Sequence, residues 1–353
     1  MHYSAIFYIT GWLMAAFGTA MLAPIGMSLA FGDDDWQSFM WAGTLSIFVG
    51  VLMALMNRQT NLILNHRDGF LLTLFAWLFL SIIGAVPLYV SGVVASPVDA
   101  FFEATSGLTT TGATVMVGLD QMAHGILLWR AMLQWLGGMG IIVLAIAVLP
   151  FLGVGGMQLY KSEMPGVKKD KLQPRLQETA KLLWIVYVGL TTIWALAYKL
   201  AGMTWFDAVC HAFTTIAIGG FSTHDASFGA FDSVAIEMVA VAGMLVGATN
   251  FALHFMALKR RSLRGYLKDA EFKFFLKIIA LAVFMVFLTL LITNVYDSGW
   301  LSFRHALFNT VSIATTTGFA TQNYNVWPVL APMIILLVMF SGGCSGSTGG
   351  GRG

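Results

Sequence analysis

Three short polar segments interrupt an otherwise apolar chain, and each joins small hydroxyl side chains to glycine in a pattern suited to liganding a cation. They read Thr109-Thr-Thr-Gly112-Ala-Thr114, Ala217-Ile-Gly-Gly220-Phe-Ser-Thr223 and Thr315-Thr-Thr-Gly318-Phe-Ala-Thr321. Backbone carbonyls of such a segment can replace the hydration shell of an ion. Glycine reaches the dihedrals that turn a carbonyl inward, and threonine hydroxyls add oxygen atoms or hold the neighbouring backbone. The candidate ligand set is Thr110, Thr111 and Gly112, then Ile218, Gly219 and Gly220, then Thr316, Thr317 and Gly318. An ordinary polar loop explains one such segment. It does not explain three whose glycines stand 108 residues apart (112 to 220) and 98 apart (220 to 318), which is the mark of a repeated structural unit.

The elements that must position these segments are short helices. Pro97–Leu108, Trp205–Thr215 and Leu301–Ala314 are apolar but too short to span a bilayer, and they suit re-entrant helices. A re-entrant helix running inward aims its negative C-terminal end at the pore centre, which favours cations. Around them lie longer apolar stretches: Ala5–Ala30, Ser38–Met56, Phe70–Val90, Leu127–Leu152, Leu182–Leu200, Val234–Leu258, Phe274–Thr293 and Pro328–Phe340. Each of these reads as a spanning helix, Pro328–Phe340 with its Gly-rich continuation. The first reads as a retained helix, not a signal peptide, because it lacks a basic leader and is too long.

Composition agrees. The chain has 353 residues, of which 58% are hydrophobic and only 10% charged, against about 25% charged in soluble domains. The net charge of +2 points to no nucleic-acid partner, and Cys210 and Cys344 provide neither a disulfide framework nor metal spacing. With the N-terminus placed in the cytoplasm, 15 of the 19 Lys and Arg residues fall on inner loops, while Asp33, Asp34, Asp35, Asp120, Asp225 and Asp297 are among the acids outside. The basic stretches Met157–Ala180 and Lys259–Glu271 belong at the inner membrane surface, where docking of a cytosolic partner is a further expectation.

On these residues the chain resembles the membrane subunit of the Trk/Ktr/HKT potassium-transporter superfamily, in particular its bacterial TrkH branch. Gln134-Trp-Leu-Gly-Gly-Met-Gly140 and Ser341-Gly-Gly-Cys-Ser-Gly-Ser-Thr-Gly-Gly-Gly351 carry the resemblance together with the three filter segments. It implies an all-α polytopic membrane protein in which two N-terminal helices precede helix–pore helix–filter–helix units around a pseudo-fourfold pore. The units fall at residues 1–66 (the two N-terminal helices), 67–156 (first pore unit), 157–265 (second, with its preceding cytosolic loop) and 266–353 (third). The resemblance implies potassium uptake at a bacterial inner membrane, with K+ as the transported ion and no organic cofactor. Gly112 is the filter position that goes with potassium preference. Expected partners are a second copy, a cytosolic nucleotide-binding TrkA-type ring, and membrane lipid. The family has four units; here the sequence carries three filters and stops at Gly353, so the expectation is a partial chain without the fourth repeat.

Gly342, Gly343, Cys344, Ser345, Gly346, Ser347, Thr348 and Gly349 form a Gly-rich run that breaks a helix below the third filter. The resemblance makes it an intramembrane gate loop; a close helix-packing surface is the alternative. Gly343-Cys-Ser-Gly346 also resembles the nucleophile motif of rhomboid proteases, but no histidine follows Ser345 to serve as base. No enzyme activity is expected. Symport coupled to protons or sodium, or a non-conducting scaffold, are the other functional readings. His211 and His305 occupy different repeat positions and read as anchors of pore helices, not as metal or haem ligands. Arg130 is expected to pair with an outer acid, and Gly137, Gly138 and Gly140 to allow close helix contact.

The charge bias makes a direct prediction. In the intact protein, cysteines at Asp120→Cys and Asp225→Cys react with an impermeant thiol reagent from outside, and Arg261→Cys reacts only from inside; the reverse pattern inverts the topology.

Overall fold

The computed structural model describes residues 2–58, 66–140 and 176–349. Regular structure among the described residues is helical. The described chain runs α1 (Tyr3–Ala20), α2 (Leu22–Phe31), α3 (Trp36–Met56), α4 (His66–Val90), α5 (Pro97–Leu108), α6 (His124–Gly138), α7 (Leu176–Ala201), α8 (Trp205–Ile216), α9 (Val234–Gly247), α10 (Phe251–Arg260), α11 (Arg264–Lys268), α12 (Ala270–Ile292), α13 (Gly299–Ala314) and α14 (Leu330–Met339). Tyr3–Phe31, α3, Arg67–Val90, Lys181–Ala201 and α12 are each long and apolar enough to cross a bilayer. The chain divides into two units, Met1–Thr109 with Ala113–Trp184, and Thr110–Gly112 with Ile185–Gly353.

Three expected spans are interrupted, one of them because α14 ends at Met339 and the Gly-rich run does not continue it as helix. The first breaks at Met21, between α1 and α2. Pro24 explains this, since it offers no N–H to the Ala20 carbonyl and its ring crowds that carbonyl. The expected single span Val234–Leu258 is instead two helices, α9 and α10, bent by 96°. Thr249 and Asn250 mark the break, and the Asn250 side chain caps α10 by accepting from Ala252 N (2.8 Å). The expected helix Leu127–Leu152 begins earlier, at His124, and its part beyond residue 140 lies outside the described residues, as does most of the basic stretch 157–180.

In the first unit α1 packs along α3 through small residues spaced seven apart, which puts them on one helix face. Gly11 and Gly18 meet Gly50 and Gly43, and the two backbones approach so closely that a Cβ on Gly11 would lie 2.5 Å from the Gly50 carbonyl oxygen and 2.8 Å from Ala54 N. Ser46 Oγ donates to the Met14 carbonyl (2.7 Å) across the same seam. Without a hydrophobic driving force between helices in lipid, such close approach and interhelical hydrogen bonding supply the attraction. Trp129 on α6 is fully buried, donating from Nε1 to the Gly84 carbonyl of α4 (3.0 Å) and packing against Phe17 and Phe39. Gly137 lies so close to the end of α5 that a Cβ there would fall on the Leu108 carbonyl oxygen, as expected of a glycine allowing close contact.

In the second unit α12 packs on α13 and α14, and α9 on α8 and α13. Met244, Val286, Val311, Phe319 and Ala331 are buried at the centre of this cluster. The order of long helix, short helix and further helix occurs three times: α4–α5–α6, α7–α8–α9 and α12–α13–α14. Each short helix starts on a hydroxyl cap: Ser96 accepts from Val98 N, Thr204 from Asp207 N and Ser298 from Leu301 N. Such a cap satisfies one of the free N–H groups of a first turn.

The α1–α3 seam is testable. Gly11→Ala is expected to lower stability in detergent by about 1–3 kcal/mol, through a forced backbone shift. Gly26→Ala on α2, where an added Cβ meets nothing within 4 Å, is the control and should unfold no earlier than the parent chain.

Candidate ion-conducting site

The three short helices end alike. Their cap residues Thr109, Ala217 and Thr315 are followed by Thr110, Ile218 and Thr316 in the left-handed region, with φ of 53°, 54° and 64°. All three are β-branched, and such residues resist this conformation. Two places later Gly112, Gly220 and Gly318 again have positive φ, 77°, 80° and 90°. The repeat seen in the sequence is thus repeated in the backbone, residue for residue. At two of the ends the hydrogen bonds are a Schellman pair. Ile218 N donates to Thr215 O (3.1 Å) and Gly219 N to Thr214 O (2.9 Å); Thr316 N donates to Ile313 O (2.9 Å) and Thr317 N to Ser312 O (2.8 Å). The N–H groups therefore fold back onto the helix. A strained conformation at these matching positions costs about 1–3 kcal/mol each and persists only where the surroundings over-determine it.

The segments meet backbone to backbone. A Cβ on Gly112 would fall on the Gly219 carbonyl oxygen and lie 3.5 Å from that of Thr317; one on Gly220 would fall on the Thr317 carbonyl oxygen. A Cβ on Gly318 meets nothing within 4 Å, and Gly318 is exposed. Thr110–Gly112, Ile218–Gly220 and Thr316–Gly318 so form an arc within one unit, open beside Gly318. The Thr317 hydroxyl is buried and bonded to the Thr315 hydroxyl (2.8 Å), which itself contacts the Val311 carbonyl (2.8 Å). At this position the hydroxyl holds backbone in place, leaving carbonyls as the oxygen atoms of the arc.

A second repeated feature extends the alignment of His211 with Glu103 to Asn309. The residue nine places before each glycine is polar and buried: Glu103, His211 and Asn309. Each grips the limb that follows the glycine. Val115 N donates to Glu103 Oε2 (3.0 Å) and Thr114 Oγ1 to Oε1 (2.9 Å). His211 Nε2 pairs with Ser222 Oγ (3.0 Å). Asn309 Nδ2 donates to Thr321 Oγ1 (2.9 Å) and its Oδ1 accepts from Thr321 N (3.3 Å). His305 Nδ1 also reaches Thr321 Oγ1 (3.2 Å), matching the bond from Thr223 Oγ1 to Asp207 (2.7 Å). Both histidines are anchors, as expected. The shared spacing from the glycine is the signal that pairs His211 with Glu103 and adds Asn309. Arg130 donates from Nε to Glu103 Oε1 (2.8 Å), so the expected pairing with an acid is found, with both groups buried. In the second unit Arg304 forks onto Glu237, with two bonds of 2.8 Å, and reaches Asp232 at 3.0 Å. Losing one member of such a pair leaves a buried charge unmatched.

The Gly-rich run occupies the break between α9 and α10. Cys344 N donates to Ala248 O (2.8 Å), Phe251 N to Gly346 O (3.0 Å), and Thr348 Oγ1 to Ile216 O (2.8 Å) and Gly247 O (3.2 Å). The bend frees carbonyls at Gly247 and Ala248, and the run satisfies them. Gly342 and Gly346 have positive φ, and a Cβ on Gly343 would lie 3.1 Å from Ala248 O. At the far end a Cβ on Gly349 would lie 3.3 Å from Thr315 O and 3.5 Å from Ile218 Cδ1, so the run ends against the base of two filter segments. Ser345 N donates to Glu271 at the start of α12. Ser347 Oγ accepts from Gly349 N (3.2 Å) within the run.

The chain matches the family of cation transport proteins termed TrkH over residues 36–352. It is 50% identical to the Trk system potassium uptake protein TrkH of Halomonas elongata, over 98% of this chain and 72% of that protein. The protein of the same name from Escherichia coli K12 is 48% identical over 99% of this chain and 73% of its own length. The crystal structure of the potassium transporter TrkH from Vibrio parahaemolyticus superposes with a TM-score of 0.88 at 46% identity, covering 99% of this chain and 72% of that one. With the strained helix ends and the carbonyl arc at the positions the repeat indicated, the chain is a polytopic all-α membrane protein and belongs to the TrkH family of cation transport proteins.

Proposed function

We propose that this protein takes up potassium ions across a bacterial inner membrane, through backbone carbonyls of residues 110–112, 218–220 and 316–318. The observation that carries this reading is the backbone arc itself. Three β-branched residues are held in the left-handed region, and glycines at the third position of two segments press on the next segment's carbonyl. Irregular backbone of this kind is tolerated at membrane depth only where it lines a watery path or is buried in protein. A further segment packed beside Gly318 would close a pseudo-fourfold ring. The relatives named as potassium uptake proteins support K+ as the ion, and Gly112 fits that preference. The charge bias supports a cytoplasmic N-terminus. It goes with pore units at residues 67–156, 157–265 and 266–353 after the N-terminal helices of 1–66. A homodimer and a cytosolic TrkA-type nucleotide-binding ring complete the proposed assembly.

The run from Gly342 to Gly349 acts as the gate. Its bonds to Gly247, Ala248 and Ile216 support a closed position under the second and third filter segments. Opening needs those bonds to be exchanged, so gating and selectivity rest on different groups.

Both halves of the proposal are testable by rubidium uptake into vesicles, with sodium as competitor. Gly112→Ser and Gly220→Ala place side-chain atoms on neighbouring carbonyls and are expected to abolish potassium preference. Asn309→Leu removes a tether without touching the arc and should weaken preference by about three- to tenfold. Unaltered preference in all three variants defeats the filter assignment. For the gate, Thr348→Val removes, at nearly constant shape, the hydroxyl whose one proton the Ile216 and Gly247 carbonyls share. It is expected to raise flux by roughly threefold or more at unchanged preference; flux at the parent level in a folded variant would make the run a packing surface instead.

A further inference from the structure

Outside the arc, the second unit carries a groove of about 510 Å³ between α7, α10 and α11. That size falls within the roughly 300–1,000 Å³ range of clefts that hold small molecules. Its lining is mostly apolar, including Val186, Leu190, Ile193 and Leu258, with Arg261 and Ser262 also in it. The polar groups on its floor are already matched. His254 Nε2 faces the Val246 carbonyl (2.9 Å) and so carries the proton, leaving Nδ1 to accept from the Tyr266 hydroxyl (2.6 Å). This pair fastens α11 to α10 and shapes the groove.

Two observations identify the occupant. First, the groove lies along α7, whose residues Lys181–Ala201 are long and apolar enough to span, and its rim residues Ile193, Leu258 and Leu263 are more than half exposed (57%, 67% and 72%). Ile193 is on that helix and Leu258 and Leu263 stand beside it, an exposed apolar rim suited to hydrocarbon. Second, five cations, Lys259, Arg260, Arg261, Arg264 and Lys268, crowd ten residues at the lip with no acid among them. The next two acids are engaged: Asp269 accepts from Phe272 N (2.8 Å) and Glu271 holds Ser345 N. Arg261 itself is exposed, at a helix C-terminus, with φ of 46°. Basic pockets between helices at a cytoplasmic membrane surface recognise anionic headgroups.

We propose that this groove binds an anionic phospholipid, with an acyl chain against Val186, Leu190, Ile193 and Leu258 and the phosphate at Arg261 and Ser262. The site is independent of which ion the arc conducts. The lipid would brace α10, and with it the bend that receives the Gly-rich run.

The test uses the full chain in detergent. Phosphatidylglycerol, phosphatidylcholine and inorganic phosphate are added separately, and thermal unfolding is followed. Phosphatidylglycerol alone is expected to raise Tm. Two variants address the phosphate and the acyl-chain contacts. Arg261→Asn removes the charge with a residue that accepts a left-handed backbone. Gly189→Leu fills the groove from α7, at a position where an added Cβ meets nothing within 4 Å. Each should remove at least half of the phosphatidylglycerol shift. An equal shift with phosphatidylcholine, an equal shift with phosphate alone, or a full shift retained in both variants overturns the proposal. A photoactivatable phosphatidylglycerol, crosslinked to the unaltered chain and mapped by mass spectrometry, gives a readout that needs no variant. Labels within residues 186–193 and 257–266 support the site, and their absence there overturns it.

Discussion

Every backbone polar group that leaves a helix inside a membrane must find a partner within the protein, because hydrocarbon offers none. The carbonyl arc obeys this demand in a lopsided way. The N–H groups of Ile218, Gly219, Thr316 and Thr317 fold back onto the ends of α8 and α13. The left-handed residues at Ile218 and Thr316 make that fold-back possible. Donors are thereby used up while carbonyls remain, and a surplus of carbonyl oxygen is what a desolvated cation requires. The strain of placing β-branched side chains in the left-handed region is thus coupled to the chemistry of the site.

The same demand shapes the Gly-rich run. A 96° bend between α9 and α10 frees carbonyls that no helix turn can satisfy. The run supplies Cys344 N–H and the Thr348 hydroxyl, and its own Gly346 carbonyl takes the N–H of Phe251. Each irregular segment thus completes the other. The run is held by a few exchangeable hydrogen bonds, whereas the segments of the arc meet by close backbone contact.

The tethers also show how one geometry tolerates different chemistry. A carboxylate, an imidazole and an amide each reach the limb beyond the glycine. Glu103 is the charged one, and its burial is matched by Arg130. His211 and Asn309 need no counter-charge, since both can bond as neutral groups.

Much of this architecture was legible in the residues. The three Thr- and Gly-rich segments, their spacing and the short apolar stretches before them indicated re-entrant helices and extended returns, because glycine, β-branching and apolar length act locally. Pro97–Leu108 was found as a helix with those same bounds, and the helix before the Gly-rich run ends at Met339, three residues ahead of its first glycine. What the chain could not reveal from its linear pattern depends on partners distant in sequence. Thr249 and Asn250 break the apolar run at the bend, and Asn250 caps α10, but the bend is completed by Cys344, Gly346 and Thr348, which arrive from about a hundred residues away. The repeat already aligned His211 with Glu103, but what each tether grips emerged only once the limbs were in place. The sequence by itself determined which segments could turn carbonyls toward an ion, since that follows from local dihedral preference. Only the tertiary structure decided which carbonyl each glycine meets and what closes the helix break, since those follow from contacts that no local pattern encodes.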